Sequence, residues 1–274
     1  MLNEKVIFLD IDGTLVDHTL YPSASTVEAV TQAKANGHKI FLNTGRSVCQ
    51  VYDYIWDLGF DGFIGGNGIY IEENGVQLFH KAIPQPLVEK VYSYLVDRGI
   101  GFFEEGQESL YAHPQYLPEL AKLLESSTDE VKKWTMRLFP TTAFDCQGPF
   151  QNVNKISLVL TERANFEEIR DFIKPDLVIG EWRLFGKERE FADIYQAGTS
   201  KGTAVEFVMN HLNKALSEAV CIGDAGNDID MVKIAGLGIA MGNSLPELKQ
   251  AADYVTDTVT NDGIYKAFKF AGLI

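Results

Sequence analysis

The chain has 274 residues, enough for one or two domains, and no apolar run approaches the roughly 20 residues that a transmembrane helix needs. Its formal net charge is −14, and a surface this acidic repels phosphate backbones, which argues against nucleic acids and anionic membranes as partners. The first ten residues enter a short apolar run without the features of a signal peptide, so cytoplasmic localisation is expected. The same acidic surface would repel a small phosphorylated molecule, so any site for such a molecule needs a local positive charge of its own.

The first third of the chain alternates apolar strands with amphipathic helices. This alternation predicts a parallel sheet with helices on both faces, a Rossmann-like, doubly wound α/β fold. The pattern predicts strands at Val6–Leu9, Lys39–Leu42 and Gly62–Ile64, helices at Ser23–Ala35 and Ser47–Leu58, and a hairpin formed by Gly68–Ile71 and Val76–Phe79.

The middle of the chain lacks the regular alternation of strands and helices. It begins with two prolines and continues with short strands and separate helices. We expect residues 83–187 to form an inserted α+β domain, and residues 1–82 and 188–274 to form the α/β core. The end of the chain then resumes the first pattern. Its predicted elements are helices at Lys201–Leu212, Asn227–Ala235, Pro246–Ala252 and Gly263–Phe270, and strands at Ala219–Ile222 and Leu237–Ala240.

Three predicted strands of the core each end in a polar cluster. In an open parallel sheet, ligands bind beyond the carboxyl ends of the strands, so three clusters at one edge would converge on one site. The clusters are Asp10-Ile11-Asp12-Gly13-Thr14, Asn43-Thr44-Gly45-Arg46 and Gly223-Asp224-Ala225-Gly226-Asn227-Asp228.

Four carboxylates, those of Asp10, Asp12, Asp224 and Asp228, would crowd this site. Such like charges are tolerated mainly when a cation neutralises them or when one carboxyl stays protonated. Hard oxygen ligands with room left for water and phosphate oxygens suit Mg²⁺ better than a fully caged Ca²⁺. Lys201, at a predicted helix start, can supply a fixed positive charge.

Four sequence motifs resemble those of the haloacid dehalogenase (HAD) superfamily in their order and spacing. They are DIDGTLVD, NTGR, SKG and GDAGNDIDM, and the ending GLGIAMGNSLPELKQAADYVT resembles the Cof-type subfamily. That resemblance implies a HAD-like core with an inserted α+β cap of type IIB, at the position of the predicted insertion. By the same resemblance, Asp10 is the nucleophile, Asp12 is the general acid/base, and Thr44 and Lys201 contact the phosphoryl group.

The resemblance also implies a magnesium site. Asp10 and Asp224 would bind Mg²⁺ directly, Asp12 would bind it through its backbone carbonyl, and Asp228 and Asn227 would support the metal or its waters. Because Asp12 must hold a proton for the leaving oxygen, we expect its pKa to lie above the reference value of about 3.9.

Several residues allow two interpretations. Arg46 either contacts the substrate or braces its loop, and Asn67 either faces the site or forms a plain turn. Gly45 permits close backbone approach to an anion, and Asp228 could also cap the helix that follows it. The cation-rich segment from Trp182 to Arg189 is either a solvated face or a rim that holds a sugar or a phosphate.

The cysteines and histidines do not indicate a site of their own. Cys49, Cys146 and Cys221 are widely spaced without a CxxC pair, which favours reduced, packed thiols over disulfides or a zinc site. The five histidines show no metal-ligand spacing. A catalytic thiol is disfavoured as well.

The function expected from these observations is Mg²⁺-dependent hydrolysis of a small phosphorylated metabolite, with a sugar phosphate favoured, through an aspartyl-phosphate on Asp10. The segment Phe191-Ala192-Asp193-Ile194 resembles sugar-phosphate phosphatases. A phosphomutase and a non-hydrolytic phospho-acceptor remain as alternatives. The sequence leaves the oligomeric state open, and a monomer is compatible with it.

Overall fold

The computed structural model describes residues 4–182 and 189–274. The chain divides into two units. The first unit takes in the chain up to Arg46, Val51–His80 and Gly198–Ile274, and the second takes in Ser47–Gln50 and Lys81–Ala197. In the described part of the chain, no helix combines the length and the apolar character that crossing a membrane requires.

The first stretch of the chain builds most of the first unit's sheet. Its opening strand consists of four fully buried apolar residues, and its first helix begins where the Ser23 hydroxyl accepts a hydrogen bond from the backbone N–H of Thr26. Gly37, with a φ of +88°, follows the end of that helix. The elements are β1 (Val6–Leu9), α1 (Ala24–Ala35), β2 (Lys39–Asn43), α2 (Asp53–Trp56), β3 (Gly62–Gly65), β4 (Tyr70–Glu73) and β5 (Val76–His80), with a 3₁₀ helix at Val48–Gln50.

The second unit is an α+β unit with its own six-stranded sheet, in the order β10-β11-β9-β6-β7-β8. One buried apolar cluster joins α3 and α6 to the sheet, and a second cluster joins α4 and α5 to it. Its elements are α3 (Gln85–Asp97), β6 (Phe102–Glu105), β7 (Leu110–Ala112), α4 (Tyr116–Leu124), α5 (Thr128–Leu138), β8 (Thr142–Ala143), β9 (Lys155–Val159), α6 (Phe166–Ile173), β10 (Leu177–Trp182) and β11 (Phe191–Gln196).

The last stretch returns to the first unit and completes its sheet. The helix α7 begins with a capping box in which the side chains of Ser200 and Thr203 each bond the other's backbone N–H. The elements are α7 (Lys201–His211), β12 (Ala219–Gly223), α8 (Ile229–Ile234), β13 (Leu237–Ala240), α9 (Pro246–Ala251), β14 (Tyr254–Val255) and α10 (Gly263–Phe270), with 3₁₀ helices at Leu216–Glu218, Gly226–Asp228 and Val259–Asn261.

The sheet of the first unit runs β14-β13-β12-β1-β2-β3-β4-β5. Its first six strands are parallel, and β4 and β5 add an antiparallel edge. Leu9, at the end of β1, pairs with Leu42 of β2 on one side and with Ile222 of β12 on the other. This register brings the loops that follow β1, β2 and β12 to one edge of the sheet, and the predicted doubly wound α/β fold is confirmed.

Two predictions about this architecture are wrong. The predicted helix Ser47–Leu58 is interrupted, because Tyr52 has extended backbone and residues 47–50 belong to the second unit. The predicted return to the core at residue 188 lies outside the described residues, as do residues 183–187. The following strand β11 pairs with β9 and β10 of the second sheet, so the described chain returns to the first unit only at Gly198.

Candidate active site

Lys201 connects two of the predicted acids at the carboxyl edge of the first sheet. Its Nζ donates hydrogen bonds to Oδ1 of Asp10 and to Oδ1 of Asp228, both at 2.6 Å. The lysine side chain is fully buried, although it stands on the first turn of α7. The two carboxylates hold Lys201 charged, because together they outweigh the cost of burial and raise the pKa of Lys201.

Three carboxylates meet around this lysine. Asp10, Asp224 and Asp228 each offer an oxygen atom, and these oxygens lie within 4.8 Å of one another. Burial raises the pKa of Asp10 well above its usual range, and the neighbouring acids add to that rise against the opposing charge of Lys201. Burial and the charge of Asp228 likewise raise the pKa of Asp224 to about 6. Buried oxygen ligands with a surplus of negative charge fit a hard divalent cation.

Asp224 is fixed from the side of the first loop. It accepts a hydrogen bond from the Thr14 hydroxyl at 3.2 Å, and Nδ2 of Asn243 lies 3.4 Å from its Oδ2. Gly13, with a φ of +80°, leaves the space for it, since a Cβ at position 13 would lie 2.2 Å from an Asp224 oxygen. Position 13 therefore requires glycine for both its backbone and its neighbour.

Asp228 acts through both of its oxygens within the protein. Its Oδ1 accepts from Lys201, and its Oδ2 accepts from the backbone N–H groups of Asp224 and Ala225 at 3.0 and 2.9 Å. Asp228 is the residue before α8, but its side chain makes no capping bond to that helix. The side chain orders the loop that presents Asp224 instead.

Asp12 is paired with Arg46. Two hydrogen bonds of 2.7 Å join Nε and Nη2 of Arg46 to the two carboxylate oxygens of Asp12, and about half of the Asp12 side chain is exposed. Burial would raise the pKa of Asp12, but the charge and hydrogen bonds of Arg46 outweigh it and lower that pKa. The expectation of a raised pKa is wrong for this arrangement, since the sequence did not indicate that the two side chains would pair.

The loops that follow β2, β3 and β12 lie next to one another. Thr44 is buried, and its hydroxyl accepts from the backbone N–H of Arg46 at 3.1 Å. Asn67, in the left-handed region with a φ of 59°, accepts a 2.9 Å hydrogen bond from Nδ2 of Asn227. A Cβ at Gly45 would lie 3.4 Å from the Asn67 oxygen and 3.6 Å from Nδ2 of Asn227, so the backbone of the loop after β2 runs beside both side chains. Asn67 thus belongs to the same cluster of loops as Asn227.

The sequence profile of the family described as haloacid dehalogenase-like hydrolase matches residues 7–268. The chain belongs to this family. YkrA of Bacillus subtilis (strain 168), which is named provisionally as a phosphatase, is 28% identical over 278 residues that cover all of both chains.

Solved structures of phosphatases match the whole hydrolase as well. One, described as the HAD subclass IIB sugar phosphatase BT4131, is 30% identical with a TM-score of 0.80 and covers 98% of this chain and 100% of its own. BT1666 from Bacteroides thetaiotaomicron, described among phosphatases of the same superfamily, is 29% identical with a TM-score of 0.78, over 99% and 96% of the two chains. The hydrolase is therefore an enzyme of the HAD phosphatase type, with the Cof-type, subclass IIB organisation.

Asn243 belongs to this site, although the sequence motifs did not indicate it. Nδ2 of Asn243 donates to the backbone carbonyl of Gly13 at 2.8 Å, and its Oδ1 accepts from the backbone N–H of Val259. Asn243 thereby joins the first loop to the segment after β14. A signal existed, because Asn243 lies in the MGNS stretch of the Cof-like ending, but nothing in its spacing from Asp10 indicates contact.

The second unit carries a buried charged cluster of its own, which we call the Lys155 cluster. Its members are Glu105, Lys155, Ser157 and Asp193. Lys155 Nζ lies 3.1 Å from Glu105 and 2.8 Å from Asp193, and the Ser157 hydroxyl contacts both acids. The indole N–H of Trp182 also donates to Asp193, at 2.7 Å. Of the predicted cation-rich segment, residues 183–188 lie outside the described residues.

All three cysteines are free. Burial raises the pKa of each thiol, that of Cys49 to about 12. Because the thiolate is the nucleophilic form, these shifts oppose a catalytic role for any of them.

Proposed function

We propose that this hydrolase is a Mg²⁺-dependent phosphatase that cleaves a small phosphorylated metabolite through an aspartyl-phosphate on Asp10. The observation that carries the proposal is the Lys201 cluster, defined as Lys201 with Asp10, Asp224 and Asp228. In it, a buried lysine bonds two acids, Asp10 and Asp228, while acid charge remains in surplus at the carboxyl edge of a parallel sheet.

In the first step, a carboxylate oxygen of Asp10 attacks phosphorus, and the bond between phosphorus and the ester oxygen breaks. The leaving oxygen takes a proton from Asp12. Lys201 holds the attacking carboxylate in place and offsets charge on the phosphoryl oxygens, which is the main catalytic need of a loose transition state. Thr44 is the proposed hydrogen-bond donor to the phosphoryl group.

In the second step, Asp12 takes a proton from water, and the resulting oxygen attacks phosphorus of the aspartyl-phosphate. Inorganic phosphate leaves and the Asp10 carboxylate is restored. The pair with Arg46 keeps Asp12 in the carboxylate form that this step needs. In the first step Asp12 must carry a proton, so its hydrogen bonds with Arg46 must loosen as the ester binds.

Asp10, Asp224 and the backbone carbonyl of Asp12 are the proposed Mg²⁺ ligands. Asp228 and Asn227 would support them, since both Asp228 oxygens already accept hydrogen bonds within the protein. When bound, Mg²⁺ would neutralise the surplus acid charge and polarise the phosphoryl oxygens.

A sugar phosphate is the proposed substrate class. The similarity to a structure described as a sugar phosphatase, at 30% identity over nearly the whole chain, supports it. Another relative of similar identity, from Archaeoglobus fulgidus, is named phosphoglycolate phosphatase, so the family accepts more than one leaving group.

The decisive test is phosphate release from a panel of phosphorylated metabolites, with Mg²⁺ and with a chelator. We expect Asp10→Asn to abolish turnover and the chelator to suppress it. Asp171→Asn, which changes an exposed acid of the second unit, should retain wild-type turnover. Near-normal activity of Asp10→Asn, or a chelator without effect, would contradict the proposal. An isomerised sugar phosphate without free phosphate would identify a mutase.

A further inference from the structure

We propose that Asp230 is a positioning residue of the reaction, because it holds the backbone of α7 at the place where Lys201 stands. Asp230 lies on α8, two residues after Asp228, and takes no part in the two chemical steps. It acts on Lys201 through the backbone and does not contact the substrate. This inference rests on the proposed function, since that function gives Lys201 its part in phosphoryl transfer.

The place of the Lys201 ammonium group depends on the first turn of α7. Its Nζ lies 2.6 Å from an oxygen of Asp10 and 2.6 Å from an oxygen of Asp228, at the end of a flexible four-carbon stem. Lys201 is the first residue of the helix, and the first N–H groups of a helix have no acceptor within it. The Ser200 hydroxyl bonds another N–H of this turn, so the N–H of Gly202 needs an acceptor from a different element.

The peptide group between Lys201 and Gly202 is held at both ends by side chains. Its carbonyl oxygen accepts a hydrogen bond from Nδ2 of Asn43 at 3.1 Å, and its N–H donates to Oδ2 of Asp230 at 3.0 Å. Asn43, the last residue of β2, is fully buried. Because a peptide group is planar, bonds to its two ends fix its orientation. They thereby fix the direction in which the Lys201 side chain leaves the helix.

The Asp230 carboxylate is itself fixed in close contact with this backbone. Its Oδ1 accepts from the N–H of Met231 at 2.9 Å, which leaves Oδ2 for Gly202. A Cβ at position 202 would lie 2.8 Å from Oδ2 and 2.9 Å from the carboxyl carbon, so the close approach depends on glycine. A negative charge at the N-terminus of a helix is also favourable. Geometry and charge therefore both favour an aspartate at position 230.

One short segment of the chain bonds both ends of the lysine. Asp228 accepts from Nζ, and Asp230, two residues later, accepts from the backbone that follows Lys201. Lys201 therefore keeps its place relative to the loop that carries Asp224. Loss of Asp230 would leave the backbone end free while Nζ keeps its two acids. The expected cost falls on the rate of phosphoryl transfer and not on substrate binding.

The test measures kcat and KM of the full-length enzyme on para-nitrophenyl phosphate with Mg²⁺. For Asp230→Ala, we expect kcat to fall about ten- to a hundredfold, as displacement of a catalytic group predicts, while KM stays within about twofold of the wild type. Asp230→Asn keeps an oxygen that can accept from the N–H of Gly202 and should retain most of kcat. Glu206→Ala, which removes an exposed acid from α7, is the matched control and should have wild-type kcat.

A second comparison separates positioning from a general structural role. In the Lys201→Met background, Asp230→Ala should lower kcat by less than about twofold more, because Asp230 acts through the lysine and the two effects are then not additive. Single-turnover phosphate release at high enzyme concentration measures these slow variants. Urea unfolding of each variant gives the folded fraction, so that kcat is compared per folded molecule.

An unchanged kcat in Asp230→Ala, or a change in KM alone, would overturn the inference. An equal loss in Asp230→Asn, or an equal fall in the two backgrounds, would do the same. If Asp230→Ala does not fold, Gly202→Ala takes its place, because the added Cβ would push the carboxylate away from the N–H, and a wild-type kcat in that variant would also overturn the inference. Absence of phosphate release by the wild-type enzyme from this ester and from the metabolite panel would instead contradict the proposed function.

Discussion

Each unit of this hydrolase buries a lysine between two carboxylates, yet the two clusters differ in their charge balance. In the Lys201 cluster, a third acid, Asp224, adds to the two that bond the lysine. In the Lys155 cluster, Glu105 and Asp193 share the lysine, and the remaining partners that the described residues supply are neutral donors such as Ser157.

The Lys155 cluster has one acid more than its lysine, whereas the Lys201 cluster has two more. Surplus buried acids require a cation or a proton, so this demand is greater in the Lys201 cluster. Burial and the charge of Asp193 also raise the pKa of Glu105. Burial and the nearby acids raise the pKa of Asp10 well above its usual range. A buried lysine is therefore a poor indicator of function by itself, and the charge left over around it is a better one.

The largest effect should come from Lys201→Met. We expect kcat to fall at least a thousandfold, because the change removes the fixed charge beside Asp10, the proposed nucleophile, and a single electrostatic contact of this kind is worth about 10²- to 10³-fold or more. Single-turnover phosphate release measures it. Lys155→Met is the matched change, and its kcat per folded molecule should stay within about tenfold of the wild type. Equal losses in the two variants would remove the distinction between the clusters.

Loss of the buried lysine of the second unit should lower the stability of the protein. Lys155→Met leaves Glu105 and Asp193 as buried, unpaired acids, and we expect a loss of about 3 to 5 kcal/mol in the free energy of unfolding. Urea denaturation at pH 7 measures it. Replacing the acids as well, by Glu105→Gln and Asp193→Asn, should recover most of the loss. A Lys155→Met protein as stable as the wild type would show that the pairs are not needed.

Glu104 sharpens the comparison, because it is a buried acid adjacent to Glu105 on β6 without a lysine partner among the described residues. Burial raises its pKa from 4.5 to about 7. A raised pKa means that the folded state holds the proton of Glu104 more tightly than the unfolded state does. The contribution of Glu104 to the free energy of unfolding is therefore fully present below about pH 4.5 and is lost as the pH rises through 7.

Glu104→Gln should therefore remove up to about 3 kcal/mol of the stability decrease between pH 4.5 and pH 8. Urea unfolding at both pH values gives the difference. Glu108→Gln, at an exposed position of the same unit, is the control and should leave the pH dependence as it is. If the free energy of unfolding of Glu104→Gln changed with pH as steeply as that of the wild type, another group would be titrating in this range.

The smallest effect concerns the metal. We expect Mg²⁺ to stabilise the wild-type protein by about 1.4 kcal/mol at a tenfold excess over its Kd. Asp224→Asn should lose most of this gain, and Asp193→Asn, in the Lys155 cluster, should retain it. Thermal unfolding with and without Mg²⁺ measures both. The gain should also weaken below pH 6, since the pKa of Asp224 is about 6 without metal and its proton competes with the ion. A gain that survives Asp224→Asn would place the ion elsewhere.

The sequence was sufficient for the core fold and for the grouping of three of the four expected acids, Asp10, Asp224 and Asp228. Apolar runs such as Val6–Leu9 end directly in polar clusters, and parallel strands place such ends at one edge. The pairing of Arg46 with Asp12 was out of reach, because it depends on side-chain directions in two separate loops. Asn243 was missed for the same reason, since it acts across a long sequence separation.

Tertiary contacts also explain the errors in the element boundaries. Residues 47–58 have a helical pattern, but the Ser47 hydroxyl donates to Glu105 of the second unit, which overrides the local preference. The expected boundary at residues 187 and 188 fell before β11 and so placed this strand in the core. Its pairing with β9, including Asp193 opposite Ser157, keeps it in the second sheet.

The short segment Ser47–Gln50 limits how modular this enzyme is. The chain passes between its units four times, after Arg46, Gln50, His80 and Ala197, and not only at the two ends of a simple insertion. A chimera that exchanges Lys81–Ala197 for the equivalent part of a relative would leave Ser47 facing a foreign residue instead of Glu105. Exchanging the second unit between family members thus requires moving Ser47–Gln50 along with the larger piece, although this segment directly follows the loop that holds Thr44 and Arg46.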